Sequence, residues 1–141
     1  CFLGRKSGTT VNAVIVLGAI IEKDGKVLLA RRKSGSMAGK WEFPGGKLER
    51  GETEEQCLVR EIREELGVDI ETAGFFGESF FESSGRAMIL KCHKARLLSG
   101  KITLKDHDKA EWVAPEELLS YELAPADVNI AEKLKDNTLS T

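Results

Sequence analysis

The sequence predicts a single α/β domain, on the strength of its size, its composition and its pattern of apolar residues. Its 141 residues suit one hydrophobic core, and 41% hydrophobic with 31% charged residues is the balance of an ordinary folded protein. Short apolar runs typical of strands accompany segments with the periodicity of amphipathic helices. We expect the domain to span residues 11–136, with tails at 1–10 and 137–141. Because the chain begins with Cys1, we expect the first tail to be trimmed or to carry added residues.

The charge balance and the cysteine content narrow the class of protein. With 21 basic and 23 acidic residues, the net charge of −2 lacks the basic excess that a protein coating DNA or RNA needs. No apolar run approaches the ~20 residues of a membrane helix, and no signal peptide is recognisable. Three cysteines without a CxxC pair indicate neither a disulfide framework nor a zinc cluster. We therefore expect a cytoplasmic protein, either monomer or homodimer, with no membrane or nucleic-acid polymer as partner.

Turn-forming residues divide the chain into strands and helices. Asp24-Gly25 between two apolar runs is a strong hairpin signal, and the glycines after Pro44 require a sharp bend. Pro115 is placed for the first turn of a short helix, and an amphipathic helix is expected after Pro125. The segments predicted as strands are 11–21, 26–31, 41–43, 74–81, 87–97 and 111–114.

The strongest predicted element is a helix from about residue 53 to residue 66. Thr53 and Gln56 have the spacing of a capping box, and Gly67 stands where a helix commonly ends. Apolar residues recur at steps of three and four and predict one buried stripe. The stripe consists of Leu58, Val59, Ile62 and Leu66.

The opposite face of this helix is strongly acidic. Glu61, Glu64 and Glu65 are spaced i, i+3 and i+4, and such like-charge pairs cost a helix about 0.2–0.5 kcal/mol each. A solvated charged face is the ordinary explanation. Here, however, a glycine-bearing loop at 45–51 precedes the helix and can bring backbone carbonyls close to the acids. An all-oxygen cluster suits Mg²⁺ or Mn²⁺, ions that in turn favour phosphate substrates.

Residues 46–68 fit the spacing G-x5-E-x7-R-E-U-x-E-E-x-G-U, in which U is aliphatic. Gly46, Glu52 and the run 60–68 fill all nine constrained positions. On these residues the chain resembles the Nudix hydrolase family. Further segments are similar to the MutT-like branch of that family, so that the resemblance covers about residues 11–134. These segments are 31–32, 41–46, 111–113 and 123–127.

The resemblance implies both a fold and a reaction. The fold is a Nudix-type α/β/α sandwich with a mixed central β-sheet. The reaction is the Mg²⁺-dependent hydrolysis of a nucleoside triphosphate to the monophosphate and pyrophosphate. An 8-oxo-dGTP diphosphatase that cleans the nucleotide pool, and so serves DNA repair, is the first expectation. A CTP or 5-methyl-dCTP pyrophosphohydrolase is the alternative, and a non-catalytic nucleotide-sensing module is a remote one because the box is complete.

The resemblance also assigns the metal ligands. Glu61, Glu64 and Glu65 match the metal-binding glutamates of the family, and the carbonyl of Gly45 is a further ligand. Glu111 matches a glutamate that joins the site from a later loop in MutT-like members. Water beside a divalent ion loses a proton more easily, and Glu61 is the first candidate for the base that accepts it.

The remaining assigned residues hold the site together or contact the substrate. Arg60 is expected to pair with Glu52 or with a box glutamate and to complete the catalytic set. Arg32 is expected to meet phosphate or a base edge, with an exposed surface cation as the alternative. Phe43 is expected either to stack on the nucleobase or to belong to the core.

Asp127 bears on the choice of base. Oxidised-guanine-cleaning members of the MutT type tend to have Asn at this position, which both donates and accepts hydrogen bonds. An ionised Asp only accepts, which suits cytosine N4 or the N7 proton of an 8-oxopurine. The segment 123–127 is also similar to cytidine-nucleotide pyrophosphohydrolases, so the base stays open. His93 and His107 lack metal-ligand partners at useful spacing and receive no role.

Overall fold

A computed structural model describes residues 13–139, within which seven strands form one sheet. The predicted tail at 1–10 and the first residues of the strand predicted at 11–21 lie outside the described residues. The strands are β1 (Val14–Lys23), β2 (Lys26–Arg32), β3 (Trp41–Glu42), β4 (Gly45–Lys47), β5 (Asp69–Ser83), β6 (Arg86–Ser99) and β7 (His107–Val113). The helices are α1 (Glu54–Leu66), a 3₁₀ helix (Pro115–Ser120) and α2 (Pro125–Leu139).

The sheet is mixed. Its main order is β3-β2-β1-β6-β5, with β4 paired to β1 and β7 paired to β2. β1 and β6 run parallel over nine residue pairs, whereas the other pairings are antiparallel. At the β1–β2 turn, Asp24 and Gly25 both have positive φ angles, of 52° and 76°, as the predicted Asp-Gly hairpin requires.

Apolar side chains cover both faces of this sheet. On one face α1 packs through its buried stripe, which contains Leu58, Ile62 and Leu66, against β1 residues such as Leu17 and Ile21. The opposite face is covered by the 3₁₀ helix and α2. The buried residues of this second layer include Ile20, Leu29, Trp41, Phe43, Leu118, Ile130 and Leu134. The expected α/β/α sandwich is therefore confirmed.

The short strand β4 was not predicted, because the sequence indicates only a bend there. Gly45 and Gly46 pair instead with Gly18 and Leu17 of β1. A Cβ on Gly45 would lie 1.9 Å from the Leu17 carbonyl oxygen, so this pairing requires a residue without a side chain.

Several element boundaries also differ from the prediction. β5 begins at Asp69 and β7 at His107, both several residues before their predicted starts. Irregular pairing in β5, where Gly74 has a φ of 116°, interrupts the alternation by which a strand is recognised. α2 continues to Leu139 and so includes part of the predicted tail at 137–141, since no Gly or Pro ends it at 136. In the described part of the chain, no helix is long and apolar enough to cross a membrane.

The start of α1 is fixed by a capping box, as predicted. The Thr53 side chain accepts a hydrogen bond from the Gln56 N–H at 3.1 Å, and the Gln56 side chain accepts one from the Thr53 N–H at 2.9 Å. Gly67 ends the helix in a left-handed conformation with a φ of 69°. The caps fix the ends of α1, while its buried apolar stripe determines which face turns to the sheet and hence where its glutamates lie.

We expect Thr53→Ala to lower the free energy of unfolding by about 1 kcal/mol, because the first turn of α1 loses its side-chain acceptor. Thr53→Ser, which keeps the hydroxyl, is the matched control and should stay close to the wild type. Urea denaturation followed by circular dichroism measures both. Equal stability of the Ala and Ser variants would show that the capping box does not stabilise the helix.

Candidate active site

A cleft of about 390 Å³ lies where α1, β4 and the start of α2 meet. Its lining includes Glu61 and Glu65 of α1, the backbone of β4, and the side chains of Arg32, Phe43 and Asp127. The structure thus gathers six of the ten predicted site residues around one cavity. The four that do not line it are Glu52, Arg60, Glu64 and Glu111.

The three glutamates of α1 are not equally placed. Glu61 and Glu65 are half-buried and line the cleft, whereas the side chain of Glu64 is 55% exposed. Glu64 is held at the edge by Arg60, whose Nη1 lies 3.3 Å from its Oε1. This separation follows from the helix, since burial of the apolar stripe turns one side of the acidic face towards β4.

Glu61 lies directly against the backbone of β4. A Cβ built on Gly46 would lie 2.2 Å from the Glu61 carboxyl carbon. Real Cβ atoms do not approach so closely, so glycine at this position is what allows the carboxylate to rest there. Burial raises the pKa of Glu61, while the charge of Arg60 opposes that rise.

Arg60 binds the loop that precedes α1. Its Nε and Nη2 contact both carboxylate oxygens of Glu52, at 3.0 and 2.7 Å, and its Nη1 lies 3.3 Å from Glu61 Oε2. Hydrogen bonds from Arg60, and one from the Glu49 N–H, lower the pKa of Glu52 to about 2. The predicted pairing of Arg60 with Glu52 is therefore present, and it joins the loop to the acidic face of α1.

The surroundings of Glu65 suit a bound cation. Its Oε1 is buried and has no hydrogen-bond partner within residues 13–139. Burial raises its pKa to about 8, and the negative charges of Glu61, Glu42 and Asp106 add to the rise. No three His, Cys, Asp or Glu side chains of the described chain already converge as a metal cluster. The donors are nevertheless all oxygens, the type that Mg²⁺ and Mn²⁺ prefer.

Glu111, the predicted ligand from a later loop, is not brought to these glutamates. It lies within β7, where its neighbour Trp112 packs on the α1 side of the sheet. Because side chains alternate along a strand, Glu111 points to the opposite face, where its Oε1 accepts a 2.6 Å hydrogen bond from the Tyr121 hydroxyl. The acidic residue that approaches Glu65 from this part of the chain is Asp106, just before β7. Its place in a loop rather than in a strand is the signal that could have identified it.

Asp127 also lines the cleft and is almost fully buried. Its Oδ2 accepts a hydrogen bond from the Phe43 N–H at 2.9 Å. Burial raises the pKa of Asp127 to about 8, with a further contribution from the charge of Glu42. Burial thus favours the protonated form of Asp127 over the ionised form considered from the sequence. The protonated carboxyl can both donate and accept, as Asn does.

Phe43 and Arg32 line the cleft but also make contacts within the protein. Phe43 belongs to the core and is only 3% exposed, although part of it lines the cleft. Arg32 lines the cleft at the end of β2 and lies 3.4 Å from a carboxylate oxygen of Glu42. Glu42 was not singled out in the sequence, although it directly precedes Phe43. The charge of Glu42 raises the pKa of both Glu65 and Asp127, so Glu42 lies near both of these carboxyl groups.

Comparison with known proteins agrees with this arrangement. A family model described as the NUDIX domain matches residues 10–134. The CTP pyrophosphohydrolase of Escherichia coli strain K12 is 44% identical over 118 residues, which are 83% of this chain and 87% of that protein. The 8-oxo-dGTP diphosphatase of the same strain is 33% identical over 122 residues, covering 86% of this chain and 95% of that protein.

Solved structures give the same result. The E. coli ORF135 protein matches with a TM-score of 0.80 and 39% identity, over 95% of this chain and 96% of that chain. A MutT NUDIX hydrolase from Burkholderia pseudomallei matches with a TM-score of 0.78 and 30% identity, over 86% and 98% of the two chains. Since the family model spans most of the chain and the relatives share its length and fold, the chain belongs to the Nudix hydrolase family, in its MutT-like branch.

Proposed function

We propose that the protein is a Mg²⁺-dependent nucleoside triphosphate pyrophosphohydrolase that removes 8-oxo-dGTP from the nucleotide pool. The observation that carries the proposal is a single cleft lined both by Glu65, whose buried Oε1 has no hydrogen-bond partner within the described residues, and by the buried Asp127. Nudix hydrolases generally need a divalent metal ion. An ion held beside Glu65 would lie next to the phosphates of a nucleotide whose base contacts Asp127.

The metal would be held by oxygens of α1 and β4. Glu61, Glu64, Glu65 and the carbonyl of Gly45 form the proposed ligand set, and Asp106 replaces Glu111 as the acidic residue from the later loop. When bound, the ion would neutralise charge on the phosphates and make a water molecule more acidic.

The protein's own groups would then position the water and accept its proton. Glu61 is the proposed base, because burial raises its pKa towards the range in which a carboxylate accepts protons efficiently. Arg60 acts through its contacts, since it holds Glu52, Glu61 and Glu64 and so restricts where the carboxylates lie. Attack of water on phosphorus would release a nucleoside monophosphate and pyrophosphate.

The end of the cleft near Asp127 supports a purine. A protonated Asp127 keeps one oxygen on the Phe43 N–H and can use the rest of the carboxyl group on a base edge. Because a carboxylic acid offers both a donor and an acceptor, it can replace the Asn of oxidised-guanine-cleaning relatives.

A cytidine nucleotide is the second candidate substrate. This candidate is favoured because the CTP pyrophosphohydrolase of E. coli is 44% identical to this chain, whereas the 8-oxo-dGTP diphosphatase of the same strain is 33% identical. Acidic side chains along the cleft, among them Glu42 and Glu82, also suit an exocyclic amine such as cytosine N4.

We further propose that the protein acts in the cytoplasm. Cys57 and Cys92 are buried free thiols, and burial raises the pKa of Cys57 to about 12, so that it is unreactive. Cysteines without a disulfide are typical of a reducing compartment.

Purified protein with Mg²⁺ should release pyrophosphate from 8-oxo-dGTP or from CTP, and chelation with EDTA should abolish this until Mg²⁺ is restored. Glu64→Gln should lower kcat by about 100-fold or more, because a ligand charge is lost. The matched control is Glu55→Gln on the same helix, since Glu55 is exposed as Glu64 is but is not one of the proposed metal ligands. Comparison of kcat/KM over a panel of normal and oxidised triphosphates distinguishes the two substrates. The absence of turnover with every triphosphate would contradict the proposal.

Gly46→Ala should reduce kcat by about 100-fold, because the added methyl group would occupy the position of the Glu61 carboxylate. Steady-state kinetics measures the loss, and a thermal melt verifies that the variant folds. In the double variant Gly46→Ala/Glu61→Ala, the glycine change should have no further effect beyond Glu61→Ala alone. Full activity of Gly46→Ala would show that the contact with Glu61 is unimportant.

The stability of the protein should depend on pH through Asp127. The pKa of Asp127 is about 8 in the folded protein against an ordinary value of 3.8, so the folded state binds the extra proton between these pH values. The resulting stabilisation is complete below about pH 4 and is lost as pH rises to about 8. Relative to Asp127→Asn, the Tm of the wild type should therefore fall from pH 5 to pH 8 and level off above. A Tm difference that does not change with pH would contradict the raised pKa.

A further inference from the structure

His107 is buried behind the wall of the cleft. It is the first residue of β7, and none of its side chain is exposed. Its Nε2 lies 2.9 Å from Oε2 of Glu42, a residue that lines the cleft. Because a carboxylate oxygen accepts, Nε2 is the donor in this contact, and Nδ1 has no partner within the described residues. Within the described residues, the imidazole therefore makes one hydrogen bond, which is the bond to Glu42.

The contacts of Glu42 are concentrated on one of its two oxygens. Arg32 also approaches Oε2, with its Nη1 at 3.4 Å. In the described chain no hydrogen bond is made to Oε1, and this oxygen is not among the fully buried polar atoms without a partner. Since the Glu42 side chain is 17% exposed and lines the cleft, Oε1 is the oxygen left for a bound molecule.

We propose that His107 is a positioning residue that sets the specificity of the cleft through Glu42. By holding Oε2, the Nε2–H fixes the rotation of the carboxylate and leaves Oε1 as an acceptor. That oxygen selects an N–H or O–H group of the nucleoside, such as an exocyclic amine or a sugar hydroxyl, and repels phosphate. The inference rests on the proposed function, because it requires a nucleotide in the cleft.

His93 provides a matched comparison within the same chain. It is also almost fully buried, its Nε2 lies 2.8 Å from Glu54 Oε1, and its Nδ1 likewise has no partner in the described part of the chain. Glu54 is the first residue of α1, and neither it nor His93 lines the cleft. The two histidines therefore share their burial and their local chemistry and differ in whether the bound carboxylate faces the substrate site.

The experiment compares His107→Leu, which removes the donor, with His107→Gln, whose amide N–H can replace Nε2–H. His107→Leu should raise KM for the preferred triphosphate by about tenfold with little change in kcat, whereas His107→Gln should recover most of the loss. In a Glu42→Ala background, His107→Leu should have no further effect, because its action passes through Glu42. His93→Leu, the control, should leave KM unchanged.

The same variants are also compared by the Kd of the nucleoside monophosphate product, measured by calorimetry without turnover. If the wild type hydrolyses no triphosphate but the Kd series shows coupling between His107 and Glu42, the proposed function fails and the inference stands. If His107→Leu weakens binding equally in the Glu42→Ala background, or if His107→Gln does not recover it, His107 has only a structural role and the inference is overturned.

Discussion

The contact between the Glu61 carboxylate and the glycine backbone of β4 is the constraint on which the site depends. It requires α1 to lie against β1 and β4 at a fixed height, which the buried stripe and the capping box of the helix provide. It also requires two residues without side chains in β4, because Gly45 meets the Leu17 carbonyl while Gly46 meets Glu61. Helix packing, strand pairing and the position of the carboxylates therefore depend on one another.

The charged residues of the protein are distributed unevenly along the chain. Residues 46–68 contain seven acidic and four basic residues, although the whole protein is nearly neutral at −2. Arg60 offsets this excess from the side of the loop, where it meets Glu52, Glu61 and Glu64. Glu65 lies deeper, and burial raises its pKa although the charge of Arg32 opposes the rise, whereas hydrogen bonds from Arg60 lower the pKa of Glu52. Neighbouring carboxylates are thus divided between those that contact Arg60 and the more deeply buried Glu65.

The features that can be predicted from the sequence are those that depend on residues close together in the chain. α1, its caps and its acidic face depend on residues within a few turns of one another, and they were predicted correctly. β4 and the positions of Glu42 and His107 depend on pairing between distant strands, which leaves no local signal. The resemblance assigns Glu111 to the site, but a matching position in the sequence does not reveal which face of a strand a residue occupies. The ionisation of Asp127 required knowledge of its burial.

The hydrogen bond between Asp127 and Phe43 joins residues 84 positions apart. Since α2 is the last helix of the described chain, this bond forms only after every strand of the sheet has been synthesised. A ribosome-bound chain can therefore build α1 and its acidic face well before the opposite wall of the cleft exists. The two walls of the cleft are thus completed at different times during synthesis, and the cavity exists as a whole only once α2 has docked.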